Sequence, residues 1–406
     1  MSATLITILG RTPKDANGYR PTRYTFSDQS RTEPLAFFGW ALQQQIHPQR
    51  MVVLGTDGSM WDHLFEGDID LEQDNPEERL ALIEATEKKQ VTQERLDRLT
   101  PHLEARIGCE VKLALIPYAR DEVEQVELLR RIATHVPQGE TVHLDITHGF
   151  RHLPMLSLLA ALYLRIARKA HIEKIWYAAY DPDTQQAPVL DLSGLLRIAD
   201  GLQALSSFDK DGDYGVFIPI LQQAGLPTET VTALQKAAYY ENLLNVGEST
   251  GQLRRAQEGL NITPLQPETE FLLPVIRDRL AWFEEDRQFQ KLIKLARSAL
   301  DRHDYLRAIL YAYETVITKL CQQENVPVQD FEKREQAQKA YETRPKSEQE
   351  KANYKLLKNL RNQVAHGSRG STQEVQQALL NEDRMRDTLD RLLKEIEDGK
   401  LPSANA

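Results

Sequence analysis

TVHLDITHGFRHLPMLSLLAALYL, residues 141–164, contains a short apolar strand, a polar turn and a long apolar helix in direct succession. The predicted strand is Thr141–Ile146, and the helix begins near His152. A short and largely apolar strand is typical of a parallel sheet that is covered on both faces. A strand that leads straight into a helix is the repeating unit of α/β folds, so this stretch predicts a parallel sheet with flanking helices.

The same alternation of strand and helix covers the first 180 residues. The other predicted strands are Thr4–Leu9, Met51–Leu54, Val111–Ile116 and Lys174–Ala179. The predicted helices are Glu33–Gln45, Glu77–Arg106, Asp121–His135 and His152–Lys169. The segment 181–188, DPDTQQAP, has the composition of a turn. We therefore predict a Rossmann-like, doubly wound α/β domain over residues 1–190.

The segment Leu153–Leu164 is apolar nearly all round. A helix of that kind is usually buried, so we expect it to pack against the sheet or against another subunit.

The rest of the chain is predicted to be all-α. Residues 191–284 contain helical stretches that Gly and Pro interrupt, and we interpret them as a helical linker region. Residues 285–406 contain four amphipathic stripes with offsets of three and four, which predict a helical bundle. The charged stretch Glu332–Lys355 is expected to be a solvated face or a long loop.

Composition and charge exclude several classes of protein. Hydrophobic residues make up 41% of the 406 residues and charged residues 27%, which is ordinary for a globular protein. Residues 1–284 contain 28 basic and 40 acidic residues, whereas the part from Glu285 onward contains 22 and 20. The acidic part is therefore unsuited to bulk nucleic acid. The two cysteines, Cys109 and Cys321, form no metal-binding or disulfide motif, and no apolar run is long enough to span a membrane. We expect a cytoplasmic protein.

Ligands of open α/β sheets bind at the carboxyl ends of the strands. The turn after the first strand lacks GxGxxG, and GxxxxGK[ST] is absent from the chain, which argues against a nicotinamide oxidoreductase and a P-loop enzyme. The tract Gly55–Asp62, GTDGSMWD, is suited to a base and a ribose, or is an ordinary glycine-rich turn with a buried Trp. The tract Asp145–Pro154, DITHGFRHLP, is suited to an anion at a helix N-terminus, or is a polar turn with solvated His and Arg.

The candidate catalytic tract is Leu360–Gly367, LRNQVAHG. His366 can move protons at neutral pH, and Arg361 can hold a phosphate by a bidentate contact. Together they can cut RNA without a metal by activating a ribose 2′-OH against its own phosphate. Asn362 can hold the scissile region or orient His366. On a helix, Arg361 and His366 lie about 140° apart, so a shared target favours a helix end or a partner subunit. A solvated helix end is the alternative.

Two tracts together resemble one family. DITHGFRHLP with GTDGSMWD resembles the CARF domain of Csx-type CRISPR-associated proteins. LRNQVAHG, after a helix that carries Tyr305, Tyr313 and Glu314, resembles a HEPN ribonuclease domain. The resemblance implies a CARF domain over residues 1–190, the helical linker, and a HEPN domain over residues 285–406.

The resemblance further implies an accessory endoribonuclease of type III CRISPR defence. Such proteins are homodimers that bind a cyclic oligoadenylate across two CARF domains and then cut single-stranded RNA at a composite HEPN site. No metal or other cofactor is implied, and cyclic tetra-adenylate is the first candidate for the activator, although the sequence determines neither the ring size nor higher assembly. Carried over by position, the catalytic residues are Arg361, Asn362 and His366. The ligand contacts carried over are Gly10, Arg11, Thr12, Ser59, Met60, Trp61, Thr147, His148, Gly149 and Arg151.

Two alternatives keep the CARF fold. In one, the helical domain only dimerises and the protein is a non-catalytic scaffold. In the other, the α/β domain degrades the cyclic nucleotide itself as a ring nuclease, with Arg11, Ser59 or His148 as candidate groups. A DNA-binding CARF protein is disfavoured, because no clear helix-turn-helix is visible and the C-terminal part has little net charge.

Overall fold

The computed structural model describes residues 3–15, 18–66, 76–150, 152–262, 266–366 and 372–404. The chain divides into two compact units, Met1–Leu196 and Arg197–Ala406. The first is a mixed α/β domain and the second is helical, which confirms the predicted fold class.

The N-terminal unit is built on a mixed sheet. Its strands are β1 (Ala3–Leu9), β2 (Lys14–Asp15), β3 (Gly18–Tyr19), β4 (Arg23–Thr25), β5 (Arg50–Gly55), β6 (Glu110–Leu115), β7 (Thr141–Asp145), β8 (His171–Ala178) and β9 (Gln186–Asp191). The large sheet has the order β4-β9-β8-β7-β1-β5-β6, and β2 and β3 form a separate antiparallel pair. All five predicted strands are present as its parallel centre, with β1 between β5 and β7.

Helices cover both faces of this sheet. They are α1 (Phe38–Ile46), α2 (His63–Glu66), α3 (Pro76–Lys88), α4 (Gln93–Ile107), α5 (Glu122–Thr134) and α6 (His152–Ala167). Successive residues of β1 point to opposite faces, as strand geometry requires. Leu5 belongs to the core that contains Trp40 of α1 and Leu96 of α4. Ile6 belongs to the core that contains Leu128 of α5 and Leu164 of α6.

The structure corrects two details of the sequence prediction. The helix predicted over Glu77–Arg106 is two helices, because the chain turns at Lys89 with a φ of 55° and Thr92 caps the N-terminus of α4. The segment predicted as a turn at 181–188 enters strand β9 at Gln186. Strand β9 runs antiparallel to β8 and parallel to β4, so the sheet has a mixed edge.

The described part of the C-terminal unit contains helices and no strand. The α-helices are α7 (Gly194–Asp211, which begins in the first unit), α8 (Ile218–Gln223), α9 (Thr228–Asn242), α10 (Val246–Ile262), α11 (Pro267–Leu280), α12 (Gln288–Asp301), α13 (Tyr305–Gln323), α14 (Phe331–Thr343), α15 (Glu348–His366), α16 (Gln373–Leu379) and α17 (Glu382–Glu397). Short 3₁₀ helices lie at Tyr214–Phe217 and Ala281–Glu284. One hydrophobic core extends from Ala204 to Leu401. The predicted boundary between linker and bundle at residue 284 stays a prediction. None of the described helices has the length and apolar character that a transmembrane span needs.

Candidate functional site

The strand order of the sheet reverses beside β1, and this is where open α/β sheets form a ligand crevice. Gly10 follows β1, and Gly149 follows the adjacent strand β7. A Cβ atom on Gly10 would lie 2.6 Å from the backbone nitrogen of Gly149, and Gly149 itself has a φ of 104°. Both positions therefore need glycine, because the two loops approach within backbone contact.

A cavity of about 380 Å³ opens at this crevice. Seven of the predicted ligand contacts line it: Gly10, Arg11, Thr12, Ser59, Thr147, His148 and Gly149. Among the described lining residues the ionic charges are those of Arg11 and Lys89, and no carboxylate is present. The cavity thus concentrates positive charge in a domain that is acidic as a whole. Arg151, the remaining residue of the predicted loop, lies outside the described residues.

Met60 and Trp61 do not line the cavity. Both side chains are fully buried in the core. The Trp61 indole donates to the backbone oxygen of Thr56 at 2.7 Å, and the Met60 backbone nitrogen donates to the Gly10 oxygen at 2.9 Å. In this arrangement they hold the loops around the cavity and have no surface to offer a ligand. Met60 and Trp61 therefore fit the alternative interpretation of this tract, which is a glycine-rich turn with a buried Trp.

His148 lines the cavity with one ring nitrogen already in use. Its Nε2 accepts a hydrogen bond from the backbone N–H of Phe38 at 3.1 Å, where α1 begins. Its ring packs against the ring of Phe37, with 5.9 Å between the ring centroids. Because Nε2 accepts, Nδ1 is the ring's donor in this arrangement. His148 thereby joins the ligand loop to the N-terminus of α1.

Among the lining residues outside the predicted contacts, Lys89, Tyr118 and Phe150 have large side chains suited to a nucleotide, and Phe150 lies within the predicted tract Asp145–Pro154. Tyr118 follows β6, so the rule about strand ends would have found it. The Tyr118 hydroxyl donates to Asp57 at 2.6 Å. Burial is the largest cause that raises the pKa of Tyr118, and this hydrogen bond is the second. Lys89 lies in the loop between two helices, and no local pattern connects it to a strand end.

Asp145, at the end of β7, organises the loop that follows it. The side chain is fully buried, accepts from the Thr7 hydroxyl at 2.6 Å and accepts from the Thr147 backbone nitrogen at 2.8 Å. Burial raises the pKa of Asp145 to about 6, although both hydrogen bonds act in the opposite direction. The carboxyl group thus ties β1 to the loop of Thr147–Gly149.

We expect Asp145→Asn to remove a pH dependence of stability. Between the ordinary pKa of 3.8 and about 6, the folded protein keeps a proton that the unfolded chain has lost. The free energy of unfolding of the wild type therefore falls as pH rises through this window, by about 3 kcal/mol in total. The Asp145→Asn variant lacks this loss. The melting temperature of the variant minus that of the wild type should therefore be larger at pH 7.5 than at pH 4.5.

The control for this experiment is the exposed Asp183→Asn, which should change both melting temperatures equally. If the melting temperature of Asp145→Asn relative to wild type decreases from pH 4.5 to pH 7.5, the hydrogen bonds to the carboxylate outweigh the effect of its burial.

The three residues of the predicted catalytic tract lie at the end of α15. The helix is continuous through His366, its last residue, so Arg361 and His366 point about 140° apart. Arg361 is half-buried, whereas Asn362 and His366 are exposed. The Arg361 guanidinium donates to Asn362 Oδ1 at 3.1 Å. Within one chain, the structure thus joins Arg361 to Asn362 and leaves His366 on another side of the helix.

A polar network that includes two buried tyrosines, Tyr313 and Tyr354, packs against Arg361. Its guanidinium lies over the ring of Tyr313 on α13, 5.7 Å from the ring centroid. Tyr313 is hydrogen-bonded to Tyr354, whose hydroxyl donates to Glu342 at 2.9 Å. Lys358 donates to the same carboxylate at 2.6 Å. Burial is the main cause that raises the pKa of Tyr313, so this ring is a neutral platform for the guanidinium.

Helix α6, which starts beside the crevice loop, has an exposed apolar face. Its inner face, including Leu153, is buried against the sheet. Its outer face carries large apolar side chains at offsets of four, four and three. They are Met155 (73% exposed), Leu159 (54%), Tyr163 (50%) and Ile166 (56%), and we call them the α6 stripe. The expectation that this helix is buried against the sheet therefore holds for one face only.

Comparisons with known proteins found three similarities. Residues 4–182 match the family model described as the CARF domain of the CRISPR system endoribonuclease Csx1. The chain is 24% identical over 383 residues to the CRISPR-associated protein MJ1674 of Methanocaldococcus jannaschii, an alignment that covers 86% of this chain and 59% of the relative. The chain thus spans about three fifths of that relative's length. A solved structure, Enterococcus italicus Csm6 bound to cyclic hexa-2′-fluoro-hexa-dAMP, aligns with a TM-score of 0.42 and 12% identity over 100% of this chain and 95% of that chain.

Proposed function

We propose that the chain is a ribonuclease of type III CRISPR defence controlled by a cyclic oligoadenylate. The proposal starts from the match of residues 4–182 to a CARF family model and from the similarity of the chain to a CRISPR-associated protein. The observation that carries the proposal is the crevice where Gly10 and Gly149 meet, with Arg11 and Lys89 as its charged lining residues. Such a site suits a polyanion in a domain that otherwise repels one.

The cavity fits part of a cyclic oligoadenylate. Arg11 and Lys89 suit its phosphates, the rings of Tyr118 and Phe150 offer faces for a base, and Thr147 offers backbone and hydroxyl groups. A volume of about 380 Å³ is at the low end for small-molecule sites, so a ring of four nucleotides extends beyond it. The ring then spans two such cavities, one from each copy of the chain.

The α6 stripe is the surface that we assign to the homodimer. An exposed row of four large apolar side chains is unusual on a protein without a partner there. Helix α6 begins at His152, directly after the loop that lines the cavity, so pairing of two α6 helices would bring the two cavities together. The ligand then shifts the dimer between arrangements by binding one better than the other.

The RNA-cutting groups are Arg361, Asn362 and His366. His366 is the general acid and base for the 2′-OH and the leaving oxygen, and Arg361 stabilises the phosphate as charge develops on it. Because Arg361 and His366 face different directions on α15, a second copy of the helix completes each site. The reaction proposed needs no metal.

The proposal is tested with purified protein, a fluorogenic single-stranded RNA and EDTA, with cyclic tri-, tetra- and hexa-adenylate added in turn. We expect cleavage with one ring, and cyclic tetra-adenylate is the first candidate. Tight binding of a ring without RNA cleavage would support the scaffold alternative. If chromatography detects conversion of the ring to linear products, the protein is a ring nuclease.

Arg11→Ala should weaken activation by the ring. A hydrogen bond to a charged group contributes about 1.5–3 kcal/mol, so we expect the activator concentration for half-maximal cleavage to rise about 10- to 100-fold. The maximal rate at saturating activator should be close to wild type, because Arg11 does not contact the RNA. The control is Arg106→Ala, an exposed arginine of the same domain outside the cavity. An unchanged activation curve for Arg11→Ala would remove Arg11 from the ligand site.

A further inference from the structure

An open groove of about 700 Å³ lies in the C-terminal unit, between helices α15, α16 and α17. It is separate from the crevice of the α/β domain, but it shares helix α15 with Arg361 and His366. Its polar lining comes from all three helices and includes Gln349, Asn353, Gln377, Arg384, Thr388 and Arg391.

Asn353 is the buried polar group of this groove. Its side chain is 2% exposed. Its Oδ1 accepts from Arg391 Nη1 at 2.6 Å and from Gln349 Nε2 at 3.2 Å. Its Nδ2, by contrast, is buried and has no hydrogen-bond partner among the described residues. A buried donor without an acceptor is unfavourable, so this amide is suited to an acceptor that a ligand brings into the groove.

Two guanidinium groups flank this amide. Arg391 donates to Asn353, and Arg384 donates to the side chain of Gln377. Both arginines are exposed, and neither forms an ion pair with a carboxylate in the part of the chain that the structure describes, although Glu374 and Asp387 line the same groove. Each guanidinium has five donors, so both retain donors for a phosphate.

We propose that this groove binds a nucleotide of the single-stranded RNA substrate outside the scissile bond, with phosphate on the arginines and a base edge on Asn353. The identity of the ligand rests on the proposed function, since a ribonuclease requires a site for the strand that it cuts. Asn353 lies eight residues before Arg361 on the same helix, which is about 12 Å along its axis. Carboxamide and guanidinium groups are typical readers of splayed-out bases and phosphates in single-stranded RNA.

The groove should therefore determine the affinity for RNA and the preferred cleavage position, but not the chemical step. In the full chain with saturating activator, Arg384→Ala and Arg391→Ala should each raise KM about tenfold and leave kcat within about twofold. Asn353→Asp keeps the shape of the side chain and removes its N–H donor, and it should change which positions of a mixed-sequence RNA are cut. The control is Arg386→Ala, an exposed arginine of α17 that does not line the groove.

The outcomes separate this inference from the proposed function. If the wild type cuts RNA and the two arginine variants keep its KM and its cleavage positions, the groove assignment is wrong and the proposed function stands. If the wild type cuts no RNA, the proposed function is wrong, and the groove is tested by the fluorescence anisotropy of a labelled ten-nucleotide RNA. Tenfold weaker binding by the Arg384→Ala/Arg391→Ala double variant would support the groove, and equal binding would overturn it. Melting temperatures within a few degrees of wild type exclude unfolding as the cause.

Discussion

His366→Ala is expected to abolish RNA cleavage. Loss of a general acid–base group typically lowers kcat by about 10²- to 10⁴-fold, and KM should change little because the exposed imidazole contributes little to binding. The measurement is the initial rate of RNA cleavage in EDTA at saturating activator. Arg361→Lys adds a second result: it keeps the charge but loses the planar fork above Tyr313, and we expect about a 10²-fold loss.

The matched control is His171→Ala, an exposed histidine at the start of β8, which should leave the rate unchanged. Both variants should bind the cyclic oligoadenylate as the wild type does, since the residues at 361 and 366 lie outside the crevice cavity. A His366→Ala protein with the wild-type rate would assign the cleavage to other groups, and the helical unit would then be a scaffold.

Leu159→Arg is expected to separate the proposed dimer and stop cleavage, although Arg361, Asn362 and His366 are unchanged. A two-fold interface repeats every contact, so one substitution introduces two unpaired charges and removes two buried leucines. The exposed half of each leucine contributes about 1 kcal/mol on burial, and an unpaired buried charge costs several kcal/mol more, so we expect the dimer dissociation constant to rise at least about 10²-fold. The measurement is the mass in solution by sedimentation or light scattering, together with the cleavage rate at the same concentration.

The matched control for this prediction is Leu80→Arg on α3. Leu80 is 67% exposed, but it lies on a helix that packs on the opposite face of the sheet. The Leu80→Arg protein should remain dimeric and active. A Leu159→Arg protein that is still dimeric and active would place the interface elsewhere on the chain, whereas a dimeric but inactive one would separate assembly from the switch.

The local sequence was sufficient for the centre of the α/β domain. Strands β1 and β5 are almost entirely buried and largely apolar, because a strand buried on both faces has no polar side to display. Strands β6, β7 and β8 include polar residues, but each retains enough apolar residues to be predicted as a strand. The polar tracts between these strands and the following helices could also be identified, since glycines, hydroxyls and histidines interrupt the apolar pattern there. The resemblance to CARF domains assigns Gly10, Arg11 and Thr147–Gly149 to one ligand site, and the structure brings them to one cavity.

Segments with a weak local pattern were predicted less well. Strand β9 has the composition of a turn at its start, and it is a strand because β8 and β4 pair with its backbone. The charged stretch Glu332–Lys355 was expected to be a solvated face or a loop. It contains helix α14, whose buried Tyr341 donates to Glu350 of α15 at 2.9 Å. In both cases, contacts with neighbouring elements determine the structure.

Local sequence was enough for the fold class and for the strand-end loops at the crevice, and it singled out the arginine–histidine tract, because periodicity and composition act over short distances along the chain. Long-range packing settled which groups lie together. It brought Lys89 and Tyr118 into the cavity, placed Trp61 in the core, set Arg361 on Tyr313 and left one face of α6 exposed. Those outcomes depend on packing between elements far apart in the sequence, although the position of Tyr118 after a strand is a local signal for its place at the crevice.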